Sequence, residues 1–277
     1  MSEVILLLNP GAMGTSIGAA LRGNGYRVLW VAAGRSAQTV ERAEKTELQV
    51  VASLERGLAD AEHVISVVPP DAALSVAKQV AAHGFTGTYL DANAVAPATA
   101  REIGAAIGDG CVDGGIVGPP AWRAGSTRLY LSGERAAKAA AWFADSPVDA
   151  RVIEGAIGAA SALKMCYASY TKGTSALLLA IRALAEHEHV SEALLDEWDI
   201  SQPGLHQQSN AAGARTAAKA WRFEGEMHEI AATFEAADLP PGFHLAAAEI
   251  YRRIRELKDV PAEQVDIATV LEQLLAN

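Results

Sequence analysis

Residues Leu6–Leu21 read LLLNPGAMGTSIGAAL. An apolar run stops at Asn9 and Pro10, and Gly11 and Gly14 then open an alanine-rich stretch with helical patterning. Strand, sharp turn and helix in this order come within one substitution of the glycine fingerprint G-x-G-x-x-G of dinucleotide-binding loops, with Asn9 in the first glycine's place. Such a loop must bring backbone close to a pyrophosphate and aim the free N–H groups and partial positive charge of a helix start at it. Gly11 stands where close approach is needed, and Gly14 where the helix packs on the strand. Asparagine is the residue after glycine that best tolerates left-handed backbone, so Asn9 is the mildest replacement. Pro10 has no N–H to offer a strand ladder and turns the chain out of the sheet. Asn9, Pro10, Gly11, Ala12, Met13 and Gly14 are therefore the candidate phosphate loop.

Outward from this loop, short apolar runs alternate with helical stretches. Val4–Leu8, Arg27–Ala32, Val64–Val68, Thr88–Asp91, Cys111–Asp113 and Arg128–Leu131 read as buried strands, and Met13–Gly23, Asp71–Ala82 and Ala96–Ile107 as helices. The alternation predicts an α/β fold with a parallel, doubly wound sheet whose ligands lie beyond the strands' carboxyl ends. From Ala156 to about Glu188 the pattern becomes one long helix, apolar around most of its circumference, followed by helices near Ser191–Glu197, Gln208–Ala220, Gly225–Ala237, Phe243–Leu257 and Ala262–Leu275. Two domains follow: a dinucleotide-binding domain over 1–154, and an all-helical domain over 155–277 built on the long interdomain helix.

The end of the second strand bears on cofactor choice. A carboxylate there holds the ribose hydroxyls of NAD. The stretch WVAAGRSAQ has none and instead offers Arg35 and Ser36, a guanidinium and a hydroxyl at a helix start, which suit a 2′-phosphate. NADPH/NADP+ is expected in preference to NADH.

The 277 residues carry a net charge of −10 without a basic block, which argues against nucleic acid and anionic membrane as partners. Cys111 and Cys166 match no metal-ligand spacing and read as reduced thiols of a cytoplasmic protein. His187 and His189 point apart on a helix, so no metal site is expected. The N-terminal apolar run is too short for a signal peptide, and no segment has the length of a membrane span.

NPGAMGTSIGAALRGNGYRV, VISVVPP, DANAVAP and EGAIGAASALKMCYASYTKG together resemble the β-hydroxyacid dehydrogenase superfamily, which includes 6-phosphogluconate and 3-hydroxyisobutyrate dehydrogenases. The resemblance covers the N-terminal half, of Rossmann type, and the long helix. Towards the C-terminus, EMHEIAATFEAADLPPGFHLAAAEIYRRI resembles a less-studied branch of 6-phosphogluconate dehydrogenase-like proteins. By this resemblance Val67, Val68 and Pro69 flank the cofactor's adenosine and nicotinamide ribose, and Asn93 stands near the nicotinamide. DGGIVGPP resembles the family's substrate loop, so N–H groups of Gly114, Gly115 and Gly118 hold a substrate carboxylate, or else the glycines serve loop geometry alone.

Lys164 follows Gly155 and Gly158 at the family's interval. A lysine between Leu163 and Met165 on an apolar helix is costly to bury without work to do, although one at a helix edge can extend its charge to water. The resemblance makes it the group that takes a proton from the substrate hydroxyl or returns one in reduction. Two positions depart from the family. Ala168 replaces an asparagine four residues after the lysine, leaving Tyr167 as the nearest substitute donor, and His228 with Glu229 replaces a Lys-Asp pair. Together these readings imply an NADPH-dependent oxidoreductase, working as a homodimer, that interconverts a small anionic hydroxy acid and its oxo form. An imine reductase-like enzyme and a non-catalytic NADPH-binding protein are the alternatives.

Overall fold

The computed structural model describes residues 2–260 and 265–276. The first half runs β1 Val4–Leu8, α1 Ala12–Gly23, β2 Arg27–Val31, α2 Ala37–Lys45, β3 Gln49–Val51, α3 Leu54–Asp60, β4 His63–Ser66, α4 Pro70–Ala82, β5 Thr88–Asp91, α5 Pro97–Ile107, β6 Cys111–Val117, β7 Thr127–Ser132, α6 Ala136–Ala141 and β8 Val148–Val152. Then come α7 Ala159–His187, α8 Ser191–Ser201, α9 Leu205–Ala217, α10 Ala220–Glu235, α11 Gly242–Arg253, a 3-10 turn at Arg255–Asp259 and α12 Ile267–Ala276. The helix read over Ala262–Leu275 corresponds to α12; Ala262, Glu263 and Gln264 lie outside the described residues.

The strands form one sheet in the order β3-β2-β1-β4-β5-β6-β7-β8, parallel except where β7 runs antiparallel to β6. Strand order reverses between β1 and β4, which opens a crevice at their carboxyl ends. Every residue of β1 is buried, and its side chains alternate between two apolar layers. Ile5 and Leu7 join Val28, Trp30, Ile65 and Leu90 under α1, whereas Val4, Leu6 and Leu8 join Val64, Tyr89 and Cys111 under α4 and α5. This two-sided burial explains why the strands read as continuous apolar runs.

By spatial proximity the chain divides into two compact units, Met1–Met165 and Cys166–Asn277, with the division inside α7. Within the helical unit, α7 buries Ala168, Ala176, Leu179 and Ala183. Tyr251 Oη of α11 donates to the carbonyl of Lys172 at 2.7 Å, tying the two helices together. Among the described residues no helix is long and apolar enough to cross a membrane, and no group of His, Cys, Asp or Glu is placed to hold a metal ion.

Candidate dinucleotide and proton-transfer site

Asn9 takes the left-handed conformation, at φ 67°, that its place in the turn requires. Its carbonyl accepts from Gly11 N at 2.8 Å, and its Nδ2 donates to the carbonyl of Val67 at 3.3 Å, which ties the loop to the end of β4. A Cβ on Gly14 would lie 2.5 Å from the Asn9 carbonyl oxygen, so packing alone demands glycine there. Gly11 differs. Its φ is −65°, which any residue adopts, and a Cβ would meet nothing nearer than Asn9 Nδ2 at 3.9 Å. The space in front of Gly11 is open, and α1 starts there with no side-chain cap and no acidic residue in its first turn. Thr15 is turned back onto the carbonyls of Pro10 and Gly11 at 2.8 Å, and Ser16 accepts from Ala121 N at 2.9 Å. Open backbone at an uncapped helix start, beside a glycine the protein itself does not need, fits a dinucleotide pyrophosphate.

At the end of β2, Ser36 is the N-cap of α2. Its Oγ accepts from Thr39 N at 3.3 Å and lies 3.1 Å from Thr39 Oγ1. That hydroxyl is therefore occupied in starting a helix. Arg35 is exposed, and its guanidinium has no hydrogen-bond or ion-pair partner among the described residues.

Val67, Val68 and Pro69 form the turn between β4 and α4, with Pro69 as the N-cap and Pro70 in the first turn. Val68 N donates to Asn93 Oδ1 at 2.6 Å. Asn93 Nδ2 donates to Ser66 Oγ at 3.1 Å and to Asp91 Oδ1. Buried and bonded on both its oxygen and its nitrogen, Asn93 shapes the Val67–Val68 turn from within the protein.

The register places Ser66, Asp91, Asp113 and Ser132 side by side on four neighbouring strands. All four are buried. Burial, reinforced by the neighbouring Asp113, pushes the Asp91 carboxyl up to about 8. Asp113 instead gathers donors from Ser132, Gly158 and Ser161. Sequence reasoning missed this layer. Its one signal was an aspartate at the same end of two successive buried runs, YLD and CVD.

Gly114 and Gly115, read as part of a substrate loop, lie inside β6 opposite Leu131 and Tyr130. A Cβ on Gly115 would come 2.7 Å from the carbonyl oxygen of Ala160 and 3.0 Å from Lys164 Cβ, and one on Gly114 would come 2.8 Å from the Asp91 carbonyl oxygen. Both are thus needed for α7 and β5 to lie close against β6. Gly118, just past β6, has φ 120°, and a Cβ there would lie 2.2 Å from Ser126 O. Lys164 is half-buried on α7, one turn beyond the helix start, on the face that meets Gly115. Ala168 is fully buried, Tyr167 is 46% exposed, and His228 is exposed on α10. A second group missed in the sequence lies in the helical unit. There Lys172 pairs with Glu226, both side chains only 12% exposed, and Lys172 Nζ sits 4.8 Å from the centre of the Phe223 ring.

A domain of unknown function, DUF1932, matches residues 185–254. A conserved protein of unknown function, whose structure is described as similar to 3-hydroxyacid dehydrogenases, is 26% identical; the match covers 92% of this chain and 99% of that one, with a TM-score of 0.68. The chain is therefore similar in fold to 3-hydroxyacid dehydrogenase-like proteins. The fold is shared at lower identity by Mycobacterium tuberculosis 3-hydroxyisobutyrate dehydrogenase solved with L-serine (18% identical, 99% of each chain, TM-score 0.71). An Aspergillus terreus reductive aminase solved with NADPH shares it too (17% identical, 98% of this chain and 99% of that one, TM-score 0.57). An uncharacterized 28.5 kDa protein of Methanothermus fervidus is 31% identical over 164 residues, 59% of this chain, and the match spans 63% of that relative's length.

Proposed function

We propose that the protein is an NADPH-dependent oxidoreductase that interconverts a small anionic hydroxy acid and its oxo form. The observation that carries this is the open, uncapped start of α1 at Gly11, on the same sheet as the β6 strand against which Lys164 packs. Asn9–Gly14 holds the pyrophosphate through backbone N–H groups, and Val67–Pro69, braced by Asn93, lines the cofactor on its other side. When bound, the nicotinamide supplies hydride-transfer chemistry. Lys164 holds or returns the proton of the substrate's hydroxyl oxygen. With Gly114 and Gly115 inside β6, Gly118, just past the end of that strand, is the proposed backbone contact for the substrate's anionic group. The decisive assay follows NADPH oxidation with a panel of oxo acids, aldehydes and cyclic imines, using the parent and Lys164→Ala. Turnover of oxo acids by the parent alone supports the assignment. Turnover of imines alone would favour the reductase alternative, against which Lys164 argues. NADPH binding by both proteins with no turnover would leave only a binding protein.

Arg35 is the proposed 2′-phosphate contact. Losing one charge-assisted hydrogen-bonded pair is worth about 1.5–3 kcal/mol, so Arg35→Ala is expected to weaken NADPH binding about 10- to 100-fold and NADH binding hardly at all. Equal weakening of both in fluorescence titrations would remove the assignment.

A homodimer is proposed on the outer face of α7. Tyr170, Leu177 and Leu184 recur every seventh residue there and are 71%, 44% and 61% exposed. Such a stripe is a contact surface in a helical protein. The double variant Leu177→Asp, Leu184→Asp is expected to elute as a monomer in size-exclusion chromatography with light scattering. An unchanged mass would place any interface elsewhere.

A further inference from the structure

We propose that Asp113 is a positioning residue for Lys164: its buried carboxyl, met by four donors, clamps the first turn of α7, with Asp91 as its neighbour across the β5–β6 register. The catalytic consequence rests on the reading of Lys164 given above; the clamp itself does not.

Asp113 is 1% exposed and is served by four donors. Oδ2 accepts from Gly158 N at 2.8 Å, Ser161 N at 3.1 Å and Ser132 Oγ at 3.0 Å, while Oδ1 accepts from Ser161 Oγ at 2.6 Å. A carboxylate meets four donors with lone pairs, whereas a neutral acid or an amide would turn a hydrogen towards one of them. Ala160 N is satisfied separately by Ser132 Oγ at 3.1 Å. Three amides at the start of α7, which lack helical partners, are thus held by one side chain and its serine neighbour, and the negative charge sits at the favourable end of the helix dipole. Lys164 is one turn further on. Gly115 beneath it presents no side chain to stop the helix from sliding, so the clamp fixes where Lys164 stands over β6.

Asp91 is Asp113's partner in the β5–β6 register. Its Oδ1 takes Asn93 Nδ2, but its buried Oδ2 has no hydrogen-bond partner among the described residues. Facing it are Ser66 from β4, Tyr89 of its own strand, and Cys111 and Asp113 from β6. Burial pushes both Tyr89 and Cys111 up, which keeps them neutral and supplies no counter-charge. Of the two adjacent buried carboxyls, Asp113 meets four donors, whereas burial beside Asp113 raises Asp91 and favours its neutral form.

The test combines hydrogen exchange of the peptide spanning residues 158–164 with thermal unfolding against pH and with kinetics. In Asp113→Asn at pH 6, exchange of that segment is expected to rise about tenfold or more, with β1 and α1 unaffected. The kcat is expected to fall about tenfold or more, with KM for NADPH within about twofold. Asp113→Glu, which keeps the charge but displaces it, should not restore either. Should Asp113→Asn fail to fold, Ser161→Ala removes one contact only and is expected to loosen the same segment about threefold. The folded-state carboxyl of Asp91 lies above its unfolded value, so the stability it permits is complete near pH 4 and is lost as pH rises towards about 8. Asp91→Asn should lack this decline, so that its melting temperature converges with the parent's at low pH and exceeds it above pH 7. Unchanged exchange at 158–164 in Asp113→Asn and Ser161→Ala would overturn the clamp, and parallel pH profiles for Asp91→Asn and the parent would overturn the neutral partner. Faster exchange in a protein that turns over no substrate would keep the clamp and overturn the catalytic consequence together with the reading of Lys164.

Discussion

Lys164→Met is expected to lower kcat by about 10²- to 10⁴-fold, the range lost when a positioned proton-transfer group is removed, while NADPH affinity stays within about twofold. Methionine matches lysine in length and flexibility and keeps the apolar stem packed over Gly115, so a fall in rate reports the lost ammonium and not a cavity. The backbone of the first turn of α7 holds the side chain's origin firmly, through Asp113. Four residues on, the buried Ala168 has no polar group with which to take over the proton. A lysine that only extends its charge to water would tolerate methionine with no kinetic penalty. Steady-state rates and fluorescence titration of NADPH on the same preparations separate these outcomes, and an unaltered kcat would end the case for Lys164 as the proton carrier.

Much of the fold was legible because two-sided burial writes itself into sequence. Val4–Leu8 and Thr88–Asp91 are strands with the ends read from their apolar runs. The strands that went unread, β3 and β8, lie at the two edges of the sheet, where burial no longer dictates residue type. β3 has three residues, Gln49–Val51, and β8 is VDARV with two exposed positions. β6 was cut short at Asp113 because Gly114 and Gly115 carry no strand signal of their own. They are in a strand because α7 and β5 need the room, and that need is tertiary. Reading β6 only to Asp113 also hid the antiparallel turn to β7. With the strand running to Val117, the connection to Thr127 is too short for a crossover helix.

The candidate site was legible where its geometry rests on backbone conformation and hidden where it rests on register. Asn9 in the first glycine's place pointed to left-handed backbone, which is its conformation. Arg35 and Ser36 looked equivalent in sequence, but only the structure divides them into a guanidinium without a partner among the described residues and a helix cap. Asp91 and Asp113 are far apart along the chain and adjacent across two strands, so nothing short of the pairing could show that they form one buried carboxyl pair.

Gly14→Ala and Gly11→Ala are expected to part company, and their contrast separates a glycine needed by the fold from one needed by a ligand. At Gly14 the new methyl would stand 2.5 Å from the carbonyl oxygen of Asn9, with Val67 Cβ behind it at 3.7 Å. Neither neighbour is the end of a flexible side chain, so the start of α1 must move away from β1. Overpacking of this kind costs about 1–3 kcal/mol, and the same displacement carries the first-turn N–H groups out of line, so NADPH affinity should fall by about 100-fold or more. At Gly11 the backbone is ordinary and the nearest protein atom is 3.9 Å away, so alanine should change stability by less than about 1 kcal/mol, the difference between the two residues as N-caps. Its methyl, however, would occupy the space through which backbone meets pyrophosphate, and NADPH affinity should fall about tenfold or more. Thermal unfolding and NADPH titration of both variants give four readings, of which the affinity of Gly11→Ala decides most. If that variant binds NADPH as the parent does, the open backbone ahead of α1 is not a phosphate cradle.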